Sequence, residues 1–105
     1  MYFVFVESFD LRFWNGYIAR NQKGISGYPN ASMYLAEGLA KSGHRVELVS
    51  TKDNLEEIEY MGVKYINYRN FNGTYCDYIV TKYVLNDLLI LNKISEYKKI
   101  IIFNQ

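Results

Sequence analysis

The residues that could do chemistry gather around one junction. Ser26-Gly27 stands immediately before a segment of helical pattern that stops at Ser42-Gly43-His44. Open backbone N–H groups at a helix start, together with the helix dipole, favour an anion such as a phosphate. Gly27 has no side chain to hold that anion away from the backbone. Arg12, Arg20 and Lys23 precede the junction and are candidate contacts to a phosphate or an acceptor, with loose surface charge as the alternative. Trp14, next to Phe13, is a candidate to stack on a sugar face, or else to anchor its segment on the core. The spacing of "GISGYPN" fits neither G-x-G-x-x-G nor a P-loop, so no dinucleotide or Walker-type site follows. A plain strand-to-helix connection stays open beside the anion site.

Other constellations carry less. The single His44 falls in a turn at the far end of a strand and reads as structural. Glu56, Glu57 and Glu59 read as the solvated face of a short helix rather than as paired catalytic carboxylates. No nucleophile can be matched with a base. Cys76 is the one cysteine, so an internal disulfide is excluded and a reducing compartment is the default.

Composition narrows the class. The 105 residues suit one small domain, 1–105, able to bury roughly two-thirds of its unfolded surface. Half the residues are apolar and 22% charged, as in a globular protein. Twelve Lys and Arg against 11 Asp and Glu give a nearly neutral field, which argues against nucleic-acid binding. The apolar start "YFVFV" is far shorter than the ~18 residues a membrane span needs. It also lacks the features of a signal peptide, so a cytoplasmic chain is expected.

The elements that must position these residues alternate along the chain. Strands are expected at 2–6, 45–50, 63–68, 77–82 and 99–103, and helices at 30–42, 54–61 and 84–96. The first helix places Ala31, Tyr34, Leu35, Gly38 and Leu39 on one stripe, with Pro29 in its first turn and Gly43 at its stop. The second turns Leu55 and Ile58 inward. Such alternation builds βαβ units: an α/β, Rossmann-like parallel sheet in order 3-2-1-4-5 with three helices. Asn72-Gly73 is a competing signal, because a two-residue hairpin there would make strands three and four antiparallel neighbours. In a doubly wound sheet the ligand crevice lies beside the carboxyl ends of strands one and four, hence among residues 7–28 and Thr81, Lys82 and Tyr83.

The pattern resembles the opening of the group 1 (family 4) glycosyltransferases of the GT-B fold. That family reads Gly-Gly before its first helix, then Leu-Ala-x-x-Leu-x-x-x-Gly-His-x-Val. Here Ser26-Gly27, Leu35-Ala36, Leu39, Gly43-His44 and Val46 stand in register. Phe71, Asp77 and Val80 are similar to a subgroup's Phe/Leu and Asp-x-x-Ile-x-x-Arg, with Tyr83 in place of the Arg and Lys82 beside it. The family's frequent His-Asp after strand five corresponds to Asn104-Gln105.

The resemblance implies the N-terminal, acceptor-side portion of a GT-B enzyme. Ser26 and Gly27 would bind the donor diphosphate, and Asn104 joins Arg12, Trp14, Arg20, Lys23 and Lys82 as a candidate contact. No metal is implied. The donor is a nucleotide sugar and the acceptor a glycan or small molecule, with a second domain or chain needed to complete the site. The rival is a non-catalytic Rossmann-like binding or assembly module. The apolar 84–96 segment and an uncovered fifth strand lead us to expect self-association through 84–105.

Overall fold

The computed structural model describes residues 1–7, 27–50, 57–73, 75–81 and 93–102, with side chains in the helix given from Ser32 onward. Strand β1 (Tyr2–Glu7) is followed by helix α1 (Gly27–Lys41), then β2 (Arg45–Ser50), β3 (Ile58–Tyr60) and β4 (Val63–Asn67). A 3-10 turn (Tyr68–Asn70), β5 (Tyr78–Thr81) and β6 (Lys99–Ile102) complete the described elements. They form one sheet in order β3-β4-β2-β1-β5-β6. All pairs are parallel except β3 with β4.

The chain is therefore α/β with a mostly parallel sheet, consistent with a Rossmann-like fold. The expected five-stranded, all-parallel order is corrected to six strands by the added edge strand β3. The expected helix at 54–61 is overturned at its described end, because Ile58–Tyr60 is that strand. Its partner follows at once. Met61 (φ 54°) and Gly62 (φ 81°) both take positive φ between Tyr60 and Val63, which pair. Two central residues with φ > 0 are the requirement of a type I′ hairpin turn. The chain thus makes its hairpin at Met61-Gly62. Asn72-Gly73 makes none, since β4 lies against β2 and β3 and not against β5.

Of three expected helices, one is found among the described residues. The segment 84–92 lies outside them, and residues 93–96 are turn and coil ending in a parallel bridge from Glu96 to Tyr75. Helix α1 ends as its sequence predicts. Gly43 takes φ 95°, its N–H donates to the Ala40 carbonyl at 3.0 Å, and the His44 N–H donates to Leu39 at 3.2 Å. These two bonds form a Schellman cap.

The buried face of α1 differs from the expected stripe. Ser32, Met33, Ala36 and Glu37 are buried, while Tyr34 and Leu35 are exposed. Apolar spacing alone cannot tell which arc of the helix meets the sheet. Two polar residues lie in the arc that does, so the pattern pointed elsewhere.

One core lies between α1 and the sheet: Phe3, Phe5, Met33, Ala36, Val46, Leu48, Val63, Tyr65 and Val80. A second lies on the opposite face: Tyr2, Val4, Val6, Val49, Ile66, Phe71, Cys76, Ile79 and Ile94. Because β1 feeds both cores, its six residues are all buried. Such two-sided burial explains its unbroken run of large side chains.

Candidate functional site at the carboxyl edge of the sheet

Strands β1, β2, β4 and β5 run in the same direction and end together in polar residues. Glu7 pairs with Ser50, Ser50 pairs with Asn67, and Thr81 pairs with Val6 one step back. Glu7, Ser50 and Thr81 are buried, at 5%, 2% and 1% exposure. Strand residues alternate faces. Glu7, Ser50 and Asn67 each follow an α1-facing core residue (Phe5, Leu48, Tyr65) by two positions, so they form a row on the α1 side. Thr81 follows Ile79 and faces the other side. The row adjoins the boundary between β1 and β5, where the strand order reverses. Open α/β sheets bind ligands in the crevice at that boundary.

Gly27, the first residue of α1, enters the helix from the segment that leaves β1 at this edge. Its start three residues earlier than the sequence pattern suggests brings Gly27 itself into the first turn. Slightly deeper, Ser32 is 1% exposed and its Oγ has no hydrogen-bond partner. Helix α1 crosses back over β2 and β4.

The other sequence-predicted site residues, Arg12, Trp14, Arg20, Lys23, Ser26, Lys82 and Asn104, lie outside the described residues. The structure brings forward residues that sequence reasoning missed. Ser50 and Asn67 read from sequence only as strand residues, while Glu7 falls in the 7–28 stretch expected to line the crevice without being singled out. A polar residue closing each of several parallel strands was the signal available to find them.

The opposite, amino edge of the sheet holds a second polar network, and its chemistry is structural. The Tyr2 hydroxyl donates to Glu47 Oε1 at 2.6 Å, and Arg45 donates to Glu47 Oε2 through Nη2 at 2.9 Å and Nε at 3.2 Å. The Arg45 guanidinium also lies 4.0 Å from the Tyr2 ring centroid. Burial, then the bond to Glu47, pushes the Tyr2 phenol up, and the Glu47 bond raises Arg45.

Asp77 accepts from the Tyr75 hydroxyl at 2.5 Å and from the Tyr2 backbone N–H at 2.7 Å, with Lys98 Nζ at 3.4 Å. These donors hold its carboxyl down at about 2, the Tyr75 bond being the largest cause. Burial and the nearby Asp77 charge push the Cys76 thiol up to about 11, so it stays protonated at neutral pH. A protonated, fully buried thiol is no nucleophile. The buried carboxylates of Glu47 and Asp77 are paired with Arg45 and Lys98, and the bonds that both accept from Tyr2 tie β2 and the entry of β5 to β1.

Glu57 is likewise structural. Its carboxylate accepts from the Asn67 backbone N–H at 3.0 Å and from Asn70 Nδ2 at 2.9 Å, tying the entry of β3 to the end of β4. The Met1 ammonium donates to His44 Nδ1 at 3.1 Å, and the His44 ring packs edge-on to Phe3. Among the described residues no three His, Cys, Asp or Glu side chains gather as a metal-ligand set, and no helix is long and apolar enough to cross a membrane. A hollow of about 480 Å³ opens between the outer flank of α1 and the Met61-Gly62 turn, with Tyr34 and Met61 on its walls. No family model, curated protein or solved structure matches the chain.

Proposed function

We propose that the chain is the acceptor-side half of a nucleotide-sugar-dependent glycosyltransferase, its site at the carboxyl edge of the sheet. The observation that carries this is the coincidence, at one end of a parallel sheet, of the α1 start at Gly27 and the polar row Glu7-Ser50-Asn67. Backbone N–H groups at Ser26-Gly27 receive the donor diphosphate, and Arg12, Arg20, Lys23 and Lys82 supply positive charge. Trp14 and Asn104 contact the acceptor, a glycan or small molecule. The Glu7 carboxylate accepts a hydroxyl hydrogen of that acceptor. A second domain or chain grips the nucleotide, and helix dipole and cations offset the leaving-group charge without a metal. The free thiol at Cys76 fits a reducing, cytoplasmic setting.

The test is a titration of sugar nucleotide against the chain with the second domain supplied. Gly27→Val should bind the donor more weakly, and Ser50→Ala should alter acceptor affinity while the fold is retained. Equal donor affinities for wild type and Gly27→Val would remove the diphosphate role. The second reading, a non-catalytic assembly module, is favoured by one observation. Edge strand β6 leaves Ile101 and Ile102 exposed, at 41% and 47%. Failure to bind any sugar nucleotide, with association through β6, would select it.

A further inference from the structure

Asn72-Gly73 is left by this fold without the turn its sequence suggests. Strands β4 and β5 sit on opposite sides of the β2-β1 pair, and residues 71–73 belong to no helix or strand. A type I′ turn would restrict both central residues to one backbone geometry. No ladder imposes that restriction here. Asn72 is exposed, and its side chain makes no hydrogen bond or ion pair with the described residues. Its neighbour Phe71 is anchored. The ring is 3% exposed, the Phe71 N–H donates to the Tyr68 carbonyl at 3.3 Å, and Lys93 Nζ donates to the Phe71 carbonyl at 3.4 Å.

We propose that Asn72 is a site of spontaneous deamidation through a succinimide formed with Gly73. The Gly73 backbone nitrogen attacks Cγ of the Asn72 amide. A new C–N bond closes the five-membered ring, and the side-chain nitrogen leaves as ammonia, taking up the proton lost from Gly73. Water then opens the ring at either carbonyl, giving aspartate at position 72 or its isoaspartyl isomer. Water is the only co-reactant. Glycine favours the attack because no side chain shields its nitrogen, and exposed asparagine is among the chemically labile side chains of proteins.

The packing around Gly73 makes the two products unequal. A Cβ placed on Gly73 would lie 2.9 Å from Phe71 Cζ, 3.0 Å from Phe71 Cε1 and 3.0 Å from Tyr2 Oη. The isoaspartyl product lengthens the main chain by one methylene immediately before Gly73. In so crowded a place it must displace the Phe71 ring or the Tyr2 hydroxyl that holds Glu47. The aspartyl product adds only a charge at an exposed position.

The experiment ages the intact chain at mildly alkaline pH, then digests it with trypsin and sequences the peptide spanning 70–82 by tandem mass spectrometry. The expected result is the mass gain of an amide-to-acid exchange at Asn72, with both isomers present. Asn70, in the same peptide, has its amide engaged by Glu57 and should keep it. Asn72→Gln should show no gain at position 72. No gain at Asn72 in the folded chain, under conditions where the unfolded chain gains, would overturn the proposal; so would equal gain at Asn70 and Asn72. In thermal melts the isoaspartyl fraction should unfold at a lower temperature than fresh protein, with Asn72→Asp melting beside the wild type. An isoaspartyl fraction that melts with the wild type would overturn the link to Phe71 and Tyr2.

Discussion

Glu47 is a carboxylate on a central strand, with its side chain 6% exposed, and the fold tolerates it because two donors converge on it. The donors are unequal. Arg45 keeps 66% of its side chain in solvent, so water can replace much of what it gives, while the Tyr2 hydroxyl is a buried donor. Tyr2→Phe should therefore lower stability by about 1.5–3 kcal/mol, the range for a bond to a charged group. Arg45→Ala should cost about 1 kcal/mol or less, as half-exposed ion pairs do. Denaturant titration of both variants checks the order, and a larger loss for Arg45→Ala would contradict it. Two neighbouring groups set the pH limits. Asp77 is depressed from 3.8 to about 2, so its contribution is complete above 3.8 and lost as pH falls toward 2. Cys76 is raised from 9.0 to about 11, so its contribution is complete below 9.0 and lost as pH rises toward 11. Stability should be level between these limits. Asp77→Asn should flatten the acid limb, and Cys76→Ala should remove the start of the alkaline fall while leaving the part due to the raised Tyr2 phenol, as read by melts across pH.

At the scale of elements, two glycines of α1 and its neighbouring turn should respond oppositely to alanine. Gly38 lies in the helix interior with open space where a Cβ would go, so Gly38→Ala should raise stability by about 0.5–1 kcal/mol. Gly62 holds φ 81° and a Cβ there would lie 3.0 Å from Ala40 Cβ, so Gly62→Ala should lower stability by about 1–2 kcal/mol. Chemical denaturation measures both, and changes of the same sign would refute the assignment of the hairpin turn. These positions also mark how far elements could be read from sequence. Strand β1 and the Gly43 stop of α1 were legible because burial on both faces and a Schellman cap leave local signatures. The strand at Ile58–Tyr60 was not, since Glu56, Glu57 and Glu59 suggest a solvated helix. Its pairing with β4 and the grip of Glu57 on Asn67 and Asn70 outweigh that propensity.

At the scale of the whole molecule, the two edges of the sheet differ. Edge strand β3 is three residues long and carries Glu59, features that discourage further pairing. Edge strand β6 carries Ile100, Ile101 and Ile102 in succession, the last two exposed. A second copy brought antiparallel to β6 about a twofold axis through Ile101 would set isoleucine against isoleucine and leave Lys98 and Lys99 at the outer ends. We expect concentration-dependent association in sedimentation, reduced by Ile101→Lys and unchanged by Glu59→Lys; a clean monomer at high concentration would exclude it. The sequence by itself determined what is local or periodic: an α/β alternation, the buried first strand, and a helix over most of 30–42 stopped at Gly43. Only the tertiary structure decided which arc of α1 is buried, that the hairpin turns at Met61-Gly62, and that Glu7, Ser50 and Asn67 stand in one row. The reason is physical. Caps and two-sided burial are fixed by residues a few positions apart, whereas a row across three strands exists only once pairing sets their register.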